Sequence, residues 1–210
     1  MRKIYLLLLT VFIFAAITNA QVNVPYSQNF DAVTAPAIPP GIVVTNDNGD
    51  SHQWMTDDGT EGGPAASGAN AMYIRWNGAL AMDDWFFLPA INMTGGVSYR
   101  ITFKYSSGGF YTEKLKVRYG SGPTAAAMTT TLVDLPAISN DTYTQVDYDF
   151  TPAGSGAYVI GFQGYSDADQ FYINVDDIAV DLTPSCAAPT RSYCWFCYDN
   201  LCFCKLYIFG

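Results

Sequence analysis

The densest grouping of oxygen-bearing side chains in this sequence is Asn46-Asp47-Asn48-Gly49-Asp50, placed after the short apolar stretch 41–45 and before Trp54. Carboxylate and carbonyl oxygens gathered around a glycine suit a hard cation such as calcium, which collects oxygens at roughly 2.3–2.6 Å. The same residues also make an ordinary Asn/Asp/Gly turn, and both readings stay open from the segment alone. It is not an EF-hand, because the loop closed by Glu between two helices is missing. A second grouping is Asn174-Val175-Asp176-Asp177-Ile178, where two adjacent carboxylates interrupt an apolar run. Buried charge is costly unless it is paired or metal-bound, so a cation is one partner for this pair, and water facing one of the two acids is the other reading. Asp31, in Gln28-Asn29-Phe30-Asp31, completes such a site if the first and last strands pair.

Catalytic arrangements find less support. His52 is the only histidine; it lies in a polar turn, and no Gly-x-Ser-x-Gly element accompanies it, so a nucleophile-histidine triad has little to stand on. We read it as a solvated loop residue. The acid pairs Asp57-Asp58 and Asp83-Asp84 are of the residue type that glycoside hydrolysis uses, but adjacent acids in turns are ordinarily solvated, and we place Asp57 in such a turn. The expectation is a protein that is not an enzyme. Phe110 and Tyr111, in the polar stretch 108–112, are candidate ligand contacts, since exposed aromatics leave apolar area for a partner to cover. The competing reading packs them on their own sheet.

The elements that must hold these residues are strands. Tyr99, Ile101, Phe103 and Tyr105 alternate with Arg100, Thr102 and Lys104; Leu115, Val117 and Tyr119 alternate with Lys114, Lys116 and Arg118; Val146, Tyr148 and Phe150 alternate with Asp147 and Asp149. Period-two alternation marks strands with one wet face. The stretches 157–162 and 171–180 are more continuously apolar, as in central strands. The best helical candidate is the short run Ala125 to Met128. Many short strands without crossover helices predict an all-β fold, a jelly-roll-like antiparallel β-sandwich.

The ends read differently. Met1-Arg2-Lys3, the apolar run 4–17 and Thr18-Asn19-Ala20 have the parts of a signal peptide over residues 1–20. The sandwich is expected over 21–181, and 182–210 reads as a linker followed by a truncated or out-of-frame cysteine- and aromatic-rich tail. All five cysteines lie in that tail. The sandwich therefore depends on an apolar core and not on disulfides. A net charge of −9 with 10 Lys and Arg argues against a nucleic-acid partner. No segment after the leader has the roughly 20 apolar residues of a membrane span, so no integral membrane segment is expected in the mature chain.

Taken in order, Phe30-Asp31, Pro39-Pro40-Gly41, Asp47-Asn48-Gly49-Asp50 with Trp54, Asp84-Trp85-Phe86-Phe87-Leu88-Pro89, 99–105 and Phe171 to Ile178 resemble the cleaved adhesin domains of gingipain-type haemagglutinins and the related choice-of-anchor J domains. The resemblance covers roughly Pro25 to Asp181. It implies a jelly roll with structural calcium, secreted or held at the cell surface by the type IX route. Carried over, Asp47, Asp50, Asp176 and Asp177 become calcium ligands, with an oxygen from Asn48; Asp31 stands where the family often has the longer Glu. The cation would then clasp the early loop to the last strand. Cys186-Ala187-Ala188-Pro189-Thr190 resembles the opening of a further module of a longer polypeptide. The implied function is a carbohydrate-binding-module-like adhesion domain recognising extracellular protein or glycan; the alternative is a non-catalytic accessory or spacer domain of a larger secreted enzyme such as a peptidase.

Overall fold

The computed structural model describes residues 21–184 and a short strand pair, Cys197–Tyr198 with Leu201–Cys202. The signal-peptide expectation and most of the tail lie outside the described residues. Thirteen strands build the sandwich: β1 (Val22–Asn23), β2 (Tyr26–Gln28), β3 (Val43–Asn46), β4 (Met55–Asp57), β5 (Ala71–Arg75), β6 (Asp84–Phe87), β7 (Ile91–Met93), β8 (Tyr99–Ser107), β9 (Glu113–Gly120), β10 (Thr130–Ile138), β11 (Thr144–Phe150), β12 (Gly156–Gly164) and β13 (Tyr172–Leu182). The all-β, jelly-roll-like expectation holds. The alanine run contributes only a single 3-10 turn, Ala125–Ala127, and among the described residues no helix is long and apolar enough to cross a membrane.

One sheet has seven strands, with β12 at its centre, flanked on one side by β9 and β10 and on the other by β6 and β7 in succession; β3 pairs with β6 and β1 with β7. The other has six, running β11-β8-β13-β5-β4, with β2 added beside the far half of β13. An early strand, the second, pairs with the last strand of the sandwich: Tyr26, Ser27 and Gln28 of β2 face Val180, Ala179 and Ile178 of β13. Among the described residues of the sandwich only β1 with β7 is parallel.

Alternation sets what each sheet buries. Ile101 and Phe103 of β8 and Leu115 and Val117 of β9 are fully buried, as their spacing requires. Phe86 and Phe162, on neighbouring strands of the larger sheet, stack at 4.5 Å between ring centres. Phe103 crosses from the smaller sheet to meet Phe162 edge-on at 5.2 Å, and Trp54 meets Phe86 at 4.9 Å. Such aromatic pairs add roughly 0.5–1.5 kcal/mol each beyond their buried area, and they fix the sheets face to face without any disulfide. The strand at the edge behaves differently: Tyr148 of β11 remains 40% exposed, because an edge position leaves its core-facing row only partly covered.

Candidate functional site

The loop joining β4 to β5 lies across the outer face of the smaller sheet, and side-chain acceptors hold it there. Asp57, at the end of β4, accepts from the amides of Gly59 (3.1 Å), Glu61 (3.2 Å) and Gly62 (2.9 Å) and from the Thr60 hydroxyl (3.3 Å). Next, the Asn174 side-chain amide donates to the Gly62 carbonyl at 2.6 Å. Asp176 takes the amides of Ala66 (2.9 Å) and Ser67 (3.2 Å) on one oxygen and that of Asp177 (2.7 Å) on the other. Asp31 takes those of Ala69 (2.7 Å) and Asn70 (3.0 Å), while the Asn29 side chain donates to its second oxygen at 2.9 Å. At Gly68 the backbone is left-handed, φ 61°, and a Cβ would fall 1.8 Å from an Asp31 oxygen, so only glycine lets the loop approach that carboxylate.

A bulge explains the adjacent acids of the last strand. Regular alternation would turn Asp177 into the core, but the β13–β8 register slips between Asp176 and Ala179 and Asp177 sits at φ 49°. Aspartate tolerates this conformation, and the extra residue lets both acids face outward while Ile178 returns to the core. Asp177 accepts from the Ser67 hydroxyl and, at 2.9 Å, from the Lys104 ammonium. Burial raises its pKa, but the hydroxyl and ammonium outweigh that and hold it below the usual carboxylate value. Asp176 is pushed up to about 6, by burial first, with its amide donors opposing.

The Asn46 to Asp50 loop lies elsewhere, at the end of β3 in the larger sheet. Asn46 accepts from the amides of Gly49 (2.6 Å) and Asp50 (3.3 Å), an Asx-type turn with Gly49 at φ 71°. Asn48 straps the loop to β6 by donating to the Ala81 carbonyl at 2.7 Å, and its oxygen faces the Asp50 amide at 3.1 Å. The Asp47 amide donates to the Asp83 backbone carbonyl at 2.9 Å. The ladder sets Asn46 opposite Asp84, which is wholly buried with neither carboxylate oxygen bonded. Burial, then the charges of Asp50, Asp83 and Asp47, push Asp84 up to about 7, against the opposing pull of the neighbouring Asp83 backbone amide. The Asp83 side chain accepts from Gln163 (2.8 Å) and the Trp85 indole (3.3 Å).

The six expected cation ligands thus form two groups on different sheets: Asp31, Asp176 and Asp177 come together, while Asp47, Asn48 and Asp50 gather with Asp84. A single clasp from the early loop to the last strand is replaced by two separate clusters. In the first, all six carboxylate oxygens already accept a hydrogen bond. In the second, Asp84 has none, and an orphaned buried carboxylate fits a cation. Among the described residues no three acidic, histidine or cysteine side chains already converge tightly enough to hold an ion, so the second cluster would need side-chain rotation to do so.

Three further expectations change. Asp57 is not solvated but 6% exposed and multiply bonded. Asp84 is a strand residue, which its position before the apolar run 85–88 could have indicated by the same reasoning applied to Asp176. His52 is half-buried; its amide donates to Asp50 (2.8 Å) and its Nε2 accepts from Arg75 Nε (3.3 Å).

Phe110 and Tyr111 occupy the β8–β9 turn. Phe110 is 90% exposed and Tyr111 is 48% exposed, so the reading that packs both on their own sheet fails for Phe110. Tyr111 opens a strip in which ring centres follow at 6.0 Å to Phe171, 4.6 Å to Tyr172 and 5.8 Å to Tyr73. Phe171 is fixed from three sides: its amide donates to Glu113, its carbonyl accepts from Trp76 at 2.7 Å, and its ring lies where a Cβ on Gly108 would be. Glu113 is itself wholly buried, with one oxygen unbonded; burial pushes its pKa up, opposed by Ser166 and the Phe171 amide. No pattern in the sequence marks Glu113 as the support of this strip.

No known family's sequence profile matches the chain, and no curated relative does. Solved structures do. The K1 cleaved adhesin domain of Lys-gingipain from Porphyromonas gingivalis W83 superposes with a TM-score of 0.61 at 20% identity, covering 76% of this chain and 98% of that one. The K2 domain of Lys-gingipain gives 0.62 at 18%, covering 76% and 98%. The CBM22-1 xylan-binding domain of Paenibacillus barcinonensis Xyn10C gives 0.52 at 10%, covering 79% and 99%. At these identities the likeness establishes a shared fold, and the adhesin domains expected from the sequence are among the structures that share it.

Proposed function

We propose that this chain is a non-catalytic extracellular binding module, secreted or at the cell surface, which contacts protein or glycan through Phe110 and Tyr111. The observation that carries the reading is Phe110, 90% exposed, next in sequence to Tyr111, which opens the strip of rings running through Phe171 to Tyr172. A rigid aromatic surface loses little conformational entropy when a partner covers it. Adhesin and xylan-binding domains of the same fold support the class of function. The test is a glycan array together with a pull-down of matrix proteins, using the wild type and Phe110→Ala. Retention that Phe110→Ala abolishes supports the reading, and silence of the wild type in both refutes it.

We further propose a structural calcium ion at the second acidic cluster, held by Asp84, Asp47 and Asp50. Asn48 is occupied as a strap, and the Asp31, Asp176 and Asp177 group is left as a hydrogen-bonded lock. The ion would supply the charge that Asp84 lacks. A second reading, an accessory or spacer domain of a larger secreted enzyme, is favoured by the comparisons themselves, since each similar structure is one domain of a larger named protein. It predicts a chain that folds and binds calcium but retains neither glycan nor matrix protein.

A further inference from the structure

At the free edge of the smaller sheet, β4 borders a cleft of about 560 Å³ walled by residues 35–36 and 51–53, by Asp58, Thr60 and Glu61, and by Arg75 of β5. The volume falls within the roughly 300–1,000 Å³ of small-molecule sites. We infer that this cleft is a binding site for a neutral oligosaccharide, distinct from the aromatic strip and independent of it.

The lining selects this class by chemistry. Asp57, Asp58 and Glu61 stand against the single guanidinium of Arg75, so an anionic ligand such as a phosphate or a uronic acid would meet net repulsion. The apolar side chains of the cleft, Ala35, Pro36 and Met55, are interspersed with polar and charged ones, a mixed lining that suits a ligand with both hydroxyls and C–H faces better than a lipid. A neutral sugar instead offers hydroxyls that donate and accept together with C–H faces. Carboxylates accept from hydroxyls, the guanidinium donates to them, and the short apolar floor meets the C–H face. Asp57 is engaged with the overlying loop, which leaves Asp58, Glu61 and Arg75 as the groups that face the ligand.

Arg75 is placed before any ligand arrives. Its Nε–H donates to His52 Nε2 at 3.3 Å, and its terminal nitrogen lies 3.9 Å from Glu61, with the two side chains 48% and 56% exposed. His52 is in turn held by its amide to Asp50, in the loop of the acidic cluster. Arg75 lines the cleft, and its contacts with His52 and Glu61 restrict the positions its guanidinium samples before binding, which lowers the entropy lost on binding. The single histidine thus has a role, as the support of Arg75.

The experiment screens the mature full-length chain on an array of neutral and uronic-acid-containing oligosaccharides, then titrates the best neutral binder calorimetrically against the wild type, Arg75→Met, Glu61→Gln and Phe110→Ala. Removal of one charge-assisted hydrogen bond weakens binding by about tenfold or more. We expect that loss for Arg75→Met and Glu61→Gln and an affinity within about twofold of wild type for Phe110→Ala. Glu61→Gln preserves shape at an exposed position and reports even where Arg75→Met fails to fold. Three results overturn the inference: no neutral oligosaccharide is retained, only acidic ones are, or neither cleft variant changes affinity. If Phe110→Ala alone abolishes glycan binding, the cleft is rejected while the function proposed for the aromatic strip stands.

Discussion

Two acidic clusters use the same residue type in opposite ways. Around Asp31, Asp176 and Asp177, backbone amides, the Asn29 side-chain amide, a hydroxyl and an ammonium answer every carboxylate oxygen, and the result is a lock that pins residues 66–70 over the sheet. Around Asp84 the neighbours are other acids, the amides are taken by turns and straps, and neither oxygen of the buried carboxylate meets a donor in good hydrogen-bond geometry. Aspartate at a buried position is therefore neither stabilising nor destabilising by type. The outcome depends on whether the surrounding chain presents N–H groups or further oxygens, because an unbonded buried polar group costs roughly 1–3 kcal/mol, and more when charged.

The comparison can be broken at several points, and the largest effect is expected at Asp176. Asp176→Ala strips three amides of their buried acceptor and should lower unfolding free energy by about 3–5 kcal/mol, equally with and without calcium, as read by urea denaturation. Asp57→Ala should follow at about 2–3 kcal/mol, since it releases the start of the same loop. Asp177→Ala should cost only about 1 kcal/mol, because its carboxylate is partly exposed and its loss leaves Lys104 and Ser67 free to meet water. A larger loss at Asp177 than at Asp57 would mean that the loop is held from the last strand and not from β4. Smallest of all, Phe110→Ala should leave the melting temperature unchanged, the ring being 90% exposed, while reducing retention of the partner that the aromatic surface contacts and not of a sugar held in the cleft.

The sequence made parts of this legible. Alternation in 99–105 and 115–119 located the central rows of the core, and the link between Asp31 and the last strand followed from the idea that the chain ends pair, as Tyr26–Gln28 and Ile178–Val180 do. What escaped was non-local. Asp84 lies opposite Asn46 only because β3 and β6 are neighbours, and no local pattern encodes that pairing. Asp57 looked solvated because the following residues, Asp58 to Gly63, are polar and glycine-rich; their amides are nevertheless what it binds. The bulge at Asp177 was equally hidden, since a run of apolar residues broken by two acids is compatible with any register.

Asp84 carries the central claim, that the second cluster requires a cation or a proton. Its pKa rises from an ordinary carboxylate value in the unfolded chain to about 7 in the fold, so across that interval the native state binds more protons than the unfolded state. Stability in chelator should then fall as pH rises from about 4 to about 7, by on the order of 4 kcal/mol if the site does not relax; Asp176, raised to about 6, contributes with the same sign. The decisive measurement is urea denaturation across this range in EDTA and in calcium, for the wild type and Asp84→Asn. The account predicts a falling curve in EDTA that calcium flattens, and an Asp84→Asn variant with a shallower fall and no calcium response. Identical wild-type curves in EDTA and calcium would contradict the calcium site, and a curve in EDTA that does not fall would contradict the unbonded carboxylate itself.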